Sequence, residues 1–318
     1  MHRKAVLIVA LLGVPACKAR ATEIVVFHAS SLASVLADAR EAFEKANPQA
    51  RIRLEPSGSQ VAVRKVTELG MRADIVTVAD GSLIQTMMIP SHATWNASFA
   101  TNEIVLAHKD HSKWTDQISE QNWAEVLSRD DVRLGRADPD TAPIGYQTLM
   151  VWQLAEAAGI RPGALVHALL ARCAKEHVVH DEAELLALLE SRAIDYAFLF
   201  RSTAEDHHLK ILSLPAEINL SRPELASHYA VARVAVRMQR GQGERTVSGS
   251  PIVYSLTIPT GAPQREEAAR FVAFLLSGAG RKLLLRRGFH PLLPATCHPC
   301  AGLPSSMVAF VQQEERAP

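Results

Sequence analysis

Apolar positions in the first part of the chain alternate between continuous runs and helical spacing. The run over residues 24–27 predicts a buried parallel strand. Apolar residues then recur every three or four positions until Asn47 and Pro48, which predicts a helix that ends there. The same succession returns as a strand at residues 52–54, a second helix, and a strand at residues 73–79. Strand–helix–strand–helix–strand is the signature of a doubly wound α/β unit.

A second α/β set begins at residue 104. Helical spacing predicts helices over residues 145–158, 181–191, 264–276 and 280–287, and short apolar runs predict strands over residues 104–107, 196–200 and 252–258. Residues 80–100 follow neither period and are predicted to be irregular. Residues 240–250 are rich in glycine and serine and are predicted to form a mobile loop.

The composition fits an ordinary globular protein and excludes several classes. The 318 residues include 48% apolar and 21% charged residues, and the formal net charge is +1. That balance disfavours a dedicated nucleic-acid binder, and the apolar content disfavours disorder. Beyond residue 16, no apolar run approaches the roughly 20 residues that span a bilayer. Aromatic residues reach only 5%, which disfavours a surface for stacking sugars.

The chain begins with an export signal, because basic residues precede an apolar run over residues 5–14. Two processing sites fit this start. In a lipoprotein, Cys17 would be lipidated and become the first residue after removal of residues 1–16. Alternatively, residues 19–21 fit ordinary signal peptidase, which would remove residues 1–21. Both alternatives predict a periplasmic or extracytoplasmic protein, and the first adds a lipid anchor.

Three cysteines remain beyond Cys17. Cys173 lies in an apolar helical context that predicts a buried thiol. Cys297 and Cys300 are predicted to form a small disulfide in an oxidising compartment. A redox pair is the alternative, although thioredoxin-type pairs open a helix after the first strand and this pair lies near the C-terminus.

Two serine-rich loops follow neighbouring strands where helices are predicted to begin. Ser30 and Ser31 follow the first strand, and Ser57, Gly58 and Ser59 follow the second. Open α/β sheets bind ligands at the carboxyl ends of parallel strands, and helix N-termini offer free N–H groups to anions. Serine hydroxyls add donors without charge, and Gly58 lets the backbone come close to a ligand. The loops therefore predict a small-anion site, with simple helix capping by each serine as the alternative.

Residues 138–146 precede a helix in the second half and are the candidate for the opposite wall of that site. A plain turn rich in proline and aspartate is the alternative. Enzyme signatures are weak, since the sequence contains no Gly-x-Ser-x-Gly elbow, P-loop or His-Glu-x-x-His motif, and its 13 histidines are scattered. We therefore expect a binding protein rather than an enzyme, with no cofactor.

Several longer stretches match a known family. They are residues 55–59, 63–70, 99–107, 145–146, 195–198, 214–220 and 251–254. Through them the chain resembles the periplasmic tungstate/molybdate-binding proteins of ABC transporters, in the archaeal-type branch of the extracellular solute-binding family. The resemblance covers nearly all of the chain beyond the export signal.

The resemblance implies a type II periplasmic-binding-protein fold, an α/β architecture of two doubly wound lobes joined by a two-strand hinge. Lobe 1 is expected at residues 22–101 and 255–318, and lobe 2 at residues 102–254. The implied function is capture of tungstate or molybdate in the cleft between the lobes and delivery to the permease subunits of an ABC importer. A monomer is expected.

The resemblance also implies which residues bind the ligand. The family's ligand serines fall on Ser31 and Ser59, and the second lobe contributes groups around residues 142–146 and 198–200. The expected set is Ser30, Ser31, Ser59, Ala142, Ile144, Gly145, Tyr146, Leu199 and Phe200.

The sequence departs from the family's pattern at three of these positions. Archaeal-type proteins have an acidic residue where this chain has Ala142, a glutamate where it has Leu199, and a tyrosine where it has Phe200. In the family those carboxylates complete a six-coordinate metal centre. We therefore expect the oxyanion to be held as a tetrahedron, with no metal contact from side-chain carboxylates. Alternatives are another small anion such as sulfate, and a secreted redox protein that uses Cys297 and Cys300.

Overall fold

The computed structural model describes residues 22–237 and 243–314. The predicted export signal and Cys17 lie outside the described residues. The strands are β1 (Thr22–Ala29), β2 (Ala50–Ser57), β3 (Ile75–Val78), β4 (Trp95–Thr101), β5 (Ile104–His108), β6 (Leu134–Ala137), β7 (Val178–Val179), β8 (Tyr196–Phe200), β9 (Lys210–Leu212), β10 (Arg233–Arg237), β11 (Glu244–Ser248), β12 (Val253–Thr257), β13 (His290–Cys300) and β14 (Val311–Gln313).

Helices connect most of these strands. They are α1 (Ala33–Ala46), α2 (Ser59–Thr67), α3 (Trp123–Leu127), α4 (Pro143–Ala157), α5 (Leu165–Arg172), α6 (Glu182–Glu190), α7 (Arg201–Asp206), α8 (Ala226–Tyr229), α9 (Arg265–Leu276) and α10 (Gly278–Arg286). A short 3-10 turn, Ser30–Leu32, leads directly into α1. In the part of the chain that the structure describes, no helix is both long and apolar enough to cross a bilayer.

The strands form two large sheets and a separate hairpin. The first sheet has the order β14-β13-β4-β12-β3-β1-β2, with β1 parallel to both β2 and β3. The second has the order β7-β6-β8-β5-β9, with β6 parallel to both β7 and β8. Strands β10 and β11 pair as an antiparallel hairpin. Each large sheet therefore has a parallel part in which the carboxyl ends of the strands lie on the same side.

Both faces of each sheet are covered, which explains the apolar runs in the sequence. On β1, Val26 belongs to the apolar cluster that includes Leu36 of α1, whereas Phe27 belongs to the cluster that includes Val63 of α2. On β8, the Phe198 ring packs 5.7 Å from that of Trp152 in α4. Because adjacent strand residues face opposite sides, helices on both faces require apolar residues at consecutive positions.

The chain passes between the sheets twice in the described residues. It leaves the first sheet between β4 and β5 and returns between β9 and β12. The two passages lie side by side, since the Asn102 amide donates to the Ile252 carbonyl at 3.4 Å. The expected boundary between residues 254 and 255 falls inside β12, so the exact bounds of the two lobes stay a prediction.

Two sequence-based expectations are wrong for particular segments. Residues 80–100 are not irregular throughout, since they contain a π-helical turn at Ile84–Met88 and most of β4. Strand β4 is central and mixes polar with apolar residues, so it shows no period in the sequence. The loop expected over residues 240–250 contains the strand β11, while residues 240–242 lie outside the described residues.

The predicted disulfide is present, whereas Cys173 is less buried than the sequence analysis predicted. Cys297 and Cys300 are joined by a disulfide within β13. Cys173 follows α5 as a free, half-buried thiol. Burial raises the pKa of the Cys173 thiol to about 12, which leaves it protonated and a poor nucleophile at neutral pH.

Candidate functional site

A small cavity lies where the carboxyl ends of the parallel strands of the two sheets face each other, and its empty volume is about 200 Å³ including its opening to solvent. Its walls combine the loops after β1, β2 and β3 of the first sheet with loops that follow β6, β7 and β8 of the second. The lining residues are Ala29, Ser30, Ser31, Ser57, Gly58, Ser59, Ala79, Ala142, Pro143, Ile144, Asp181, Glu182 and Phe200.

The starts of four helices converge on this cavity. They belong to α1, through the turn Ser30–Leu32, and to α2, α4 and α6, whose first residues are Ser59, Pro143 and Glu182. The first N–H groups of a helix have no acceptor within that helix, and they form the positive end of its dipole. The N–H groups at the starts of these helices therefore create a positive potential in the cavity, which suits an anion.

The predicted serines do not cap their own helices. No side chain caps the turn at Ser30, the start of α1 or the start of α2. Instead, Ser31 Oγ accepts a hydrogen bond from Tyr254 Oη at 3.0 Å, and Ser59 Oγ accepts one from the Ala79 amide at 3.0 Å. Each of these two hydroxyls accepts a bond from the protein and so keeps its own proton for another acceptor. The capping alternative therefore does not describe Ser31 and Ser59.

Ser57 is a hydroxyl that the expected set omitted. It lines the cavity, and its buried Oγ has no hydrogen-bond partner among the described residues. An unpaired buried hydroxyl is costly unless a ligand or water completes its bonding. The sequence signal was present, because Ser57 belongs to the same loop as Gly58 and Ser59.

Two carboxylates also line the cavity, and the sequence analysis missed both. Asp181 caps α6 by accepting from the Glu184 amide at 3.1 Å, and its other oxygen accepts from Ser30 Oγ at 2.8 Å. Glu182 is buried and accepts from the Phe200 amide at 2.8 Å. Burial raises the pKa of Glu182 to about 8, and the neighbouring charge of Asp181 acts in the same direction. The absence of carboxylates at positions 142 and 199 therefore does not make the cavity free of carboxyl groups.

The other expected residues divide into two groups. Ala142, Ile144 and Phe200 line the cavity together with the three serines. Gly145, Tyr146 and Leu199 do not line it, for reasons that the local structure explains.

Each of those three residues has a different environment. A Cβ on Gly145 would lie 2.6 Å from the carbonyl of Asp138, so the residue allows α4 to start against that turn. Tyr146 is buried, and its Oη donates to Asp80 Oδ2 at 2.5 Å. Leu199 points into the apolar cluster on the α6 face of the second sheet, because strand residues alternate between faces.

Contacts across the cavity join the two sheets and show a closed cleft. Ser30 follows β1 and bonds Asp181, which follows β7. Gln60 of α2 donates through Nε2 to the Pro139 carbonyl at 3.0 Å. The bond between Tyr146 and Asp80 spans the same gap.

Gly58 sets how closely the two walls approach. A Cβ at this position would lie 2.3 Å from the Thr141 carbonyl oxygen of the opposite wall. Glycine is therefore needed here for the approach of one half to the other, rather than for an unusual backbone angle, since its φ is −58°.

The rival chemistries have weaker structural support. The disulfide between Cys297 and Cys300 lies within a strand rather than at the start of a helix, where redox-active pairs gain their reactivity. Across residues 22–237 and 243–314, no group of three or more histidine, cysteine, aspartate or glutamate side chains could hold a metal ion.

Comparisons with known proteins show that this chain is similar to extracellular solute-binding proteins. The family model described as bacterial extracellular solute-binding protein matches residues 24–290. An uncharacterised solute-binding protein of Petrotoga mobilis is 39% identical over 266 residues, which cover 84% of this chain and 83% of the relative. The molybdate/tungstate-binding protein WtpA of Pyrococcus abyssi is 36% identical over 294 residues, which cover 83% of each chain.

A solved structure supports the fold. The periplasmic molybdate-binding protein of Azotobacter vinelandii matches with a TM-score of 0.57 at 15% sequence identity, over 85% of this chain and 99% of that chain. At this identity the likeness concerns the fold alone. The predicted two-lobed α/β fold of the periplasmic binding proteins is confirmed.

Proposed function

Because the chain belongs to the bacterial extracellular solute-binding protein family, we propose that it captures molybdate or tungstate outside the cytoplasm and delivers it to an ABC importer. The observation that carries this proposal is the convergence of four helix N-termini and serine hydroxyls on one closed cavity. The permease subunits of the importer are the partner that this role requires. A lipid anchor at Cys17 stays a prediction.

The donors of the cavity match the chemistry of a tetrahedral dianion. Such an anion offers four oxygen acceptors and no donors, so neutral N–H and O–H groups suit it. Ser31, Ser57 and Ser59 supply hydroxyls, and the first turns of the helices supply amides. Each hydrogen bond to a charged group contributes about 1.5–3 kcal/mol. Several such bonds, after the cost of ordering the cleft, suffice for submicromolar binding, about −8 kcal/mol or below.

We place the ligand as an intact tetrahedron rather than as a six-coordinate metal centre. Ala142 offers no carboxylate, and the Leu199 side chain lies on the other face of its strand. Asp181 is already engaged by Ser30 and by the Glu184 amide. Glu182 also lines the cavity, but burial raises its pKa to about 8, so it is mostly a neutral acid at pH 7 rather than a carboxylate ligand. Neutral donors therefore remain as the groups available to the oxygens of the anion.

Calorimetric titration of the purified protein tests the proposal. Molybdate and tungstate should bind with submicromolar Kd, and sulfate and inorganic phosphate should bind more weakly. Phosphate carries a proton of its own near pH 7, and Asp181, the carboxylate that could accept it, is already engaged by Ser30 and by the Glu184 amide. Tighter binding of sulfate would correct the ligand within the oxyanion class, whereas no binding of any of the four anions would refute the proposal.

A further inference from the structure

We propose that Glu182 recognises the bound oxyanion as a neutral carboxylic acid, donating its own proton in a hydrogen bond to one oxygen of the anion. This inference rests on the proposed function and deepens it, because it makes anion capture depend on the protonation of one side chain.

The position of Glu182 is the first argument. Its side chain is buried, with the residue 3% exposed, and it lines the oxyanion cavity. It also lines a larger neighbouring cavity with an empty volume of about 560 Å³. Ser30, Ser31 and Glu182 are the residues common to both cavities. Glu182 therefore lies in the wall that the oxyanion cavity shares with the larger cavity.

The hydrogen bonds of Glu182 are the second argument. Oε1 accepts from the Phe200 amide at 2.8 Å, and Oε2 accepts from Thr203 Oγ1 at 2.9 Å. A backbone amide can only donate, so Oε1 must act as an acceptor there. Among the described residues, no lysine, arginine or histidine forms an ion pair with this carboxyl group that would compensate a negative charge. Because Thr203 donates to Oε2 rather than accepting from it, neither partner uses a proton on Oε2, which is left for an oxygen of the anion.

The surrounding charges also favour the neutral form. Asp181 caps the helix α6 that carries Glu182, and Glu184 lies in its first turn. The other neighbouring groups lie on different elements: Asp206, His207 and Arg287 line the larger cavity, and Tyr254 belongs to β12. The Arg287 guanidinium is already bound to Asp38 and Asp206. Burial holds the pKa of Tyr254 well above its ordinary value, so its hydroxyl stays neutral.

Anion binding strengthens this preference. Burial already raises the pKa of Glu182 to about 8, so most molecules carry the proton at pH 7 before ligand arrives. A dianion in contact with the carboxyl group disfavours ionisation further. Conversely, an ionised Glu182 repels the anion and must take up a proton for binding. Affinity should therefore be constant below about pH 7 and fall up to tenfold per pH unit above about pH 8.

The test is the pH dependence of the molybdate Kd between pH 6 and pH 10, where molybdate stays a dianion. The wild-type protein should show the alkaline fall. Glu182→Gln, which keeps a neutral donor, should bind within a few-fold of the wild type at pH 7 and lose the fall. His207→Gln is the matched control, since its side chain is 42% exposed at the edge of the larger cavity, and it should keep the wild-type profile.

A second measurement needs no variant. Titration of the wild type in buffers of different ionisation enthalpy reports proton uptake, which should be absent at pH 6 and approach one proton per anion above pH 8. A flat wild-type profile, an unchanged profile in Glu182→Gln, or no uptake above pH 8 would overturn the role of Glu182 while leaving oxyanion binding intact. Failure to bind molybdate or tungstate at any pH would instead overturn the proposed function, and this inference with it.

Discussion

At the scale of single residues, the site is distinguished by the hydrogen bonds that its serine hydroxyls accept. Serine before a helix usually caps it. Here Ser59 Oγ accepts from the Ala79 amide, and Ser31 Oγ accepts from Tyr254. Both acceptor bonds orient the hydroxyl and leave its proton unused. The protein thus holds donors in place before the anion arrives, which reduces the entropy lost on binding.

Ser59→Ala should weaken molybdate binding by about 1–3 kcal/mol, or roughly five- to 150-fold, because one anion oxygen loses its donor. Calorimetric titration measures the change. Thr67→Ala is the matched control, since it removes a hydroxyl from the far end of the same helix, where Oγ1 bonds the Val63 carbonyl. Equal affinity in the two variants would remove Ser59 from the site.

The sequence could identify the serines but not the carboxyl groups of the cavity. Ser31 and Ser59 follow long strands that are neighbours in the parallel part of the first sheet, a pattern that already indicates that the two loops lie close together. Asp181 and Glu182 follow β7, which has only two residues, and Asp181 meets Ser30 through a contact between residues 151 positions apart in the chain. Such a contact depends on how the second sheet packs, which no local pattern encodes.

At the scale of elements, the helices matter through their first turns. Helices α2, α4 and α6 begin at the cavity, although α2 packs against the first sheet and α4 and α6 pack against opposite faces of the second. The close approach of the walls depends on Gly58, which leads into α2 and faces the Thr141 carbonyl. Recognition therefore depends on the distance between helix starts as much as on the side chains.

Gly58→Ala should fold normally, because its backbone angles suit alanine, yet the added Cβ should keep the cleft from closing fully. We expect at least tenfold weaker molybdate binding and a smaller ligand-induced decrease in radius of gyration by small-angle X-ray scattering. Gly261→Ala is the control, since a Cβ there meets nothing within 4 Å. Normal compaction and affinity in Gly58→Ala would contradict this role.

The helices and strands were largely predictable wherever the apolar residues of a segment keep a single spacing. The predicted helices begin or end within a few residues of α1, α4, α6, α9 and α10. Strand β4 escaped prediction because it lies between β13 and β12, where both faces are buried but Asn96 and Ser98 interrupt the apolar run. Ser98 is satisfied by Ser255 on the neighbouring strand at 2.9 Å, a pairing that only the sheet reveals.

At the scale of the whole molecule, the two halves touch at the cavity and also at Arg287. This residue follows α10, and its guanidinium bonds Asp38 of α1 at 2.8 and 2.9 Å. It also pairs with Asp206 of α7, which follows a strand of the second sheet. One side chain therefore links both halves, and we expect it to stabilise the closed form.

Arg287→Gln should shift that equilibrium toward the open form. Because the side chain is 34% exposed, solvent screens the pair, and we expect a loss of about 1 kcal/mol, or roughly fivefold in the molybdate Kd. Scattering from the ligand-free variant should show a larger radius of gyration. Arg270→Gln serves as the control, since Arg270 binds Glu267 and Asn47, which both lie in the half of the molecule that contains the first sheet. The same expansion in both variants would argue against a specific link at Arg287.

The convergence of helix starts has a consequence for the surroundings in which the protein works. Charged clefts attract their ligands over a distance that dissolved salt shortens to roughly 10 Å at 0.1 M. Peptide dipoles that act at contact inside a closed cavity are not screened in this way. With a formal net charge of only +1, the chain as a whole offers an anion little attraction at long range. If the chain captures an oxyanion as proposed, its affinity should therefore change little between dilute and saline surroundings.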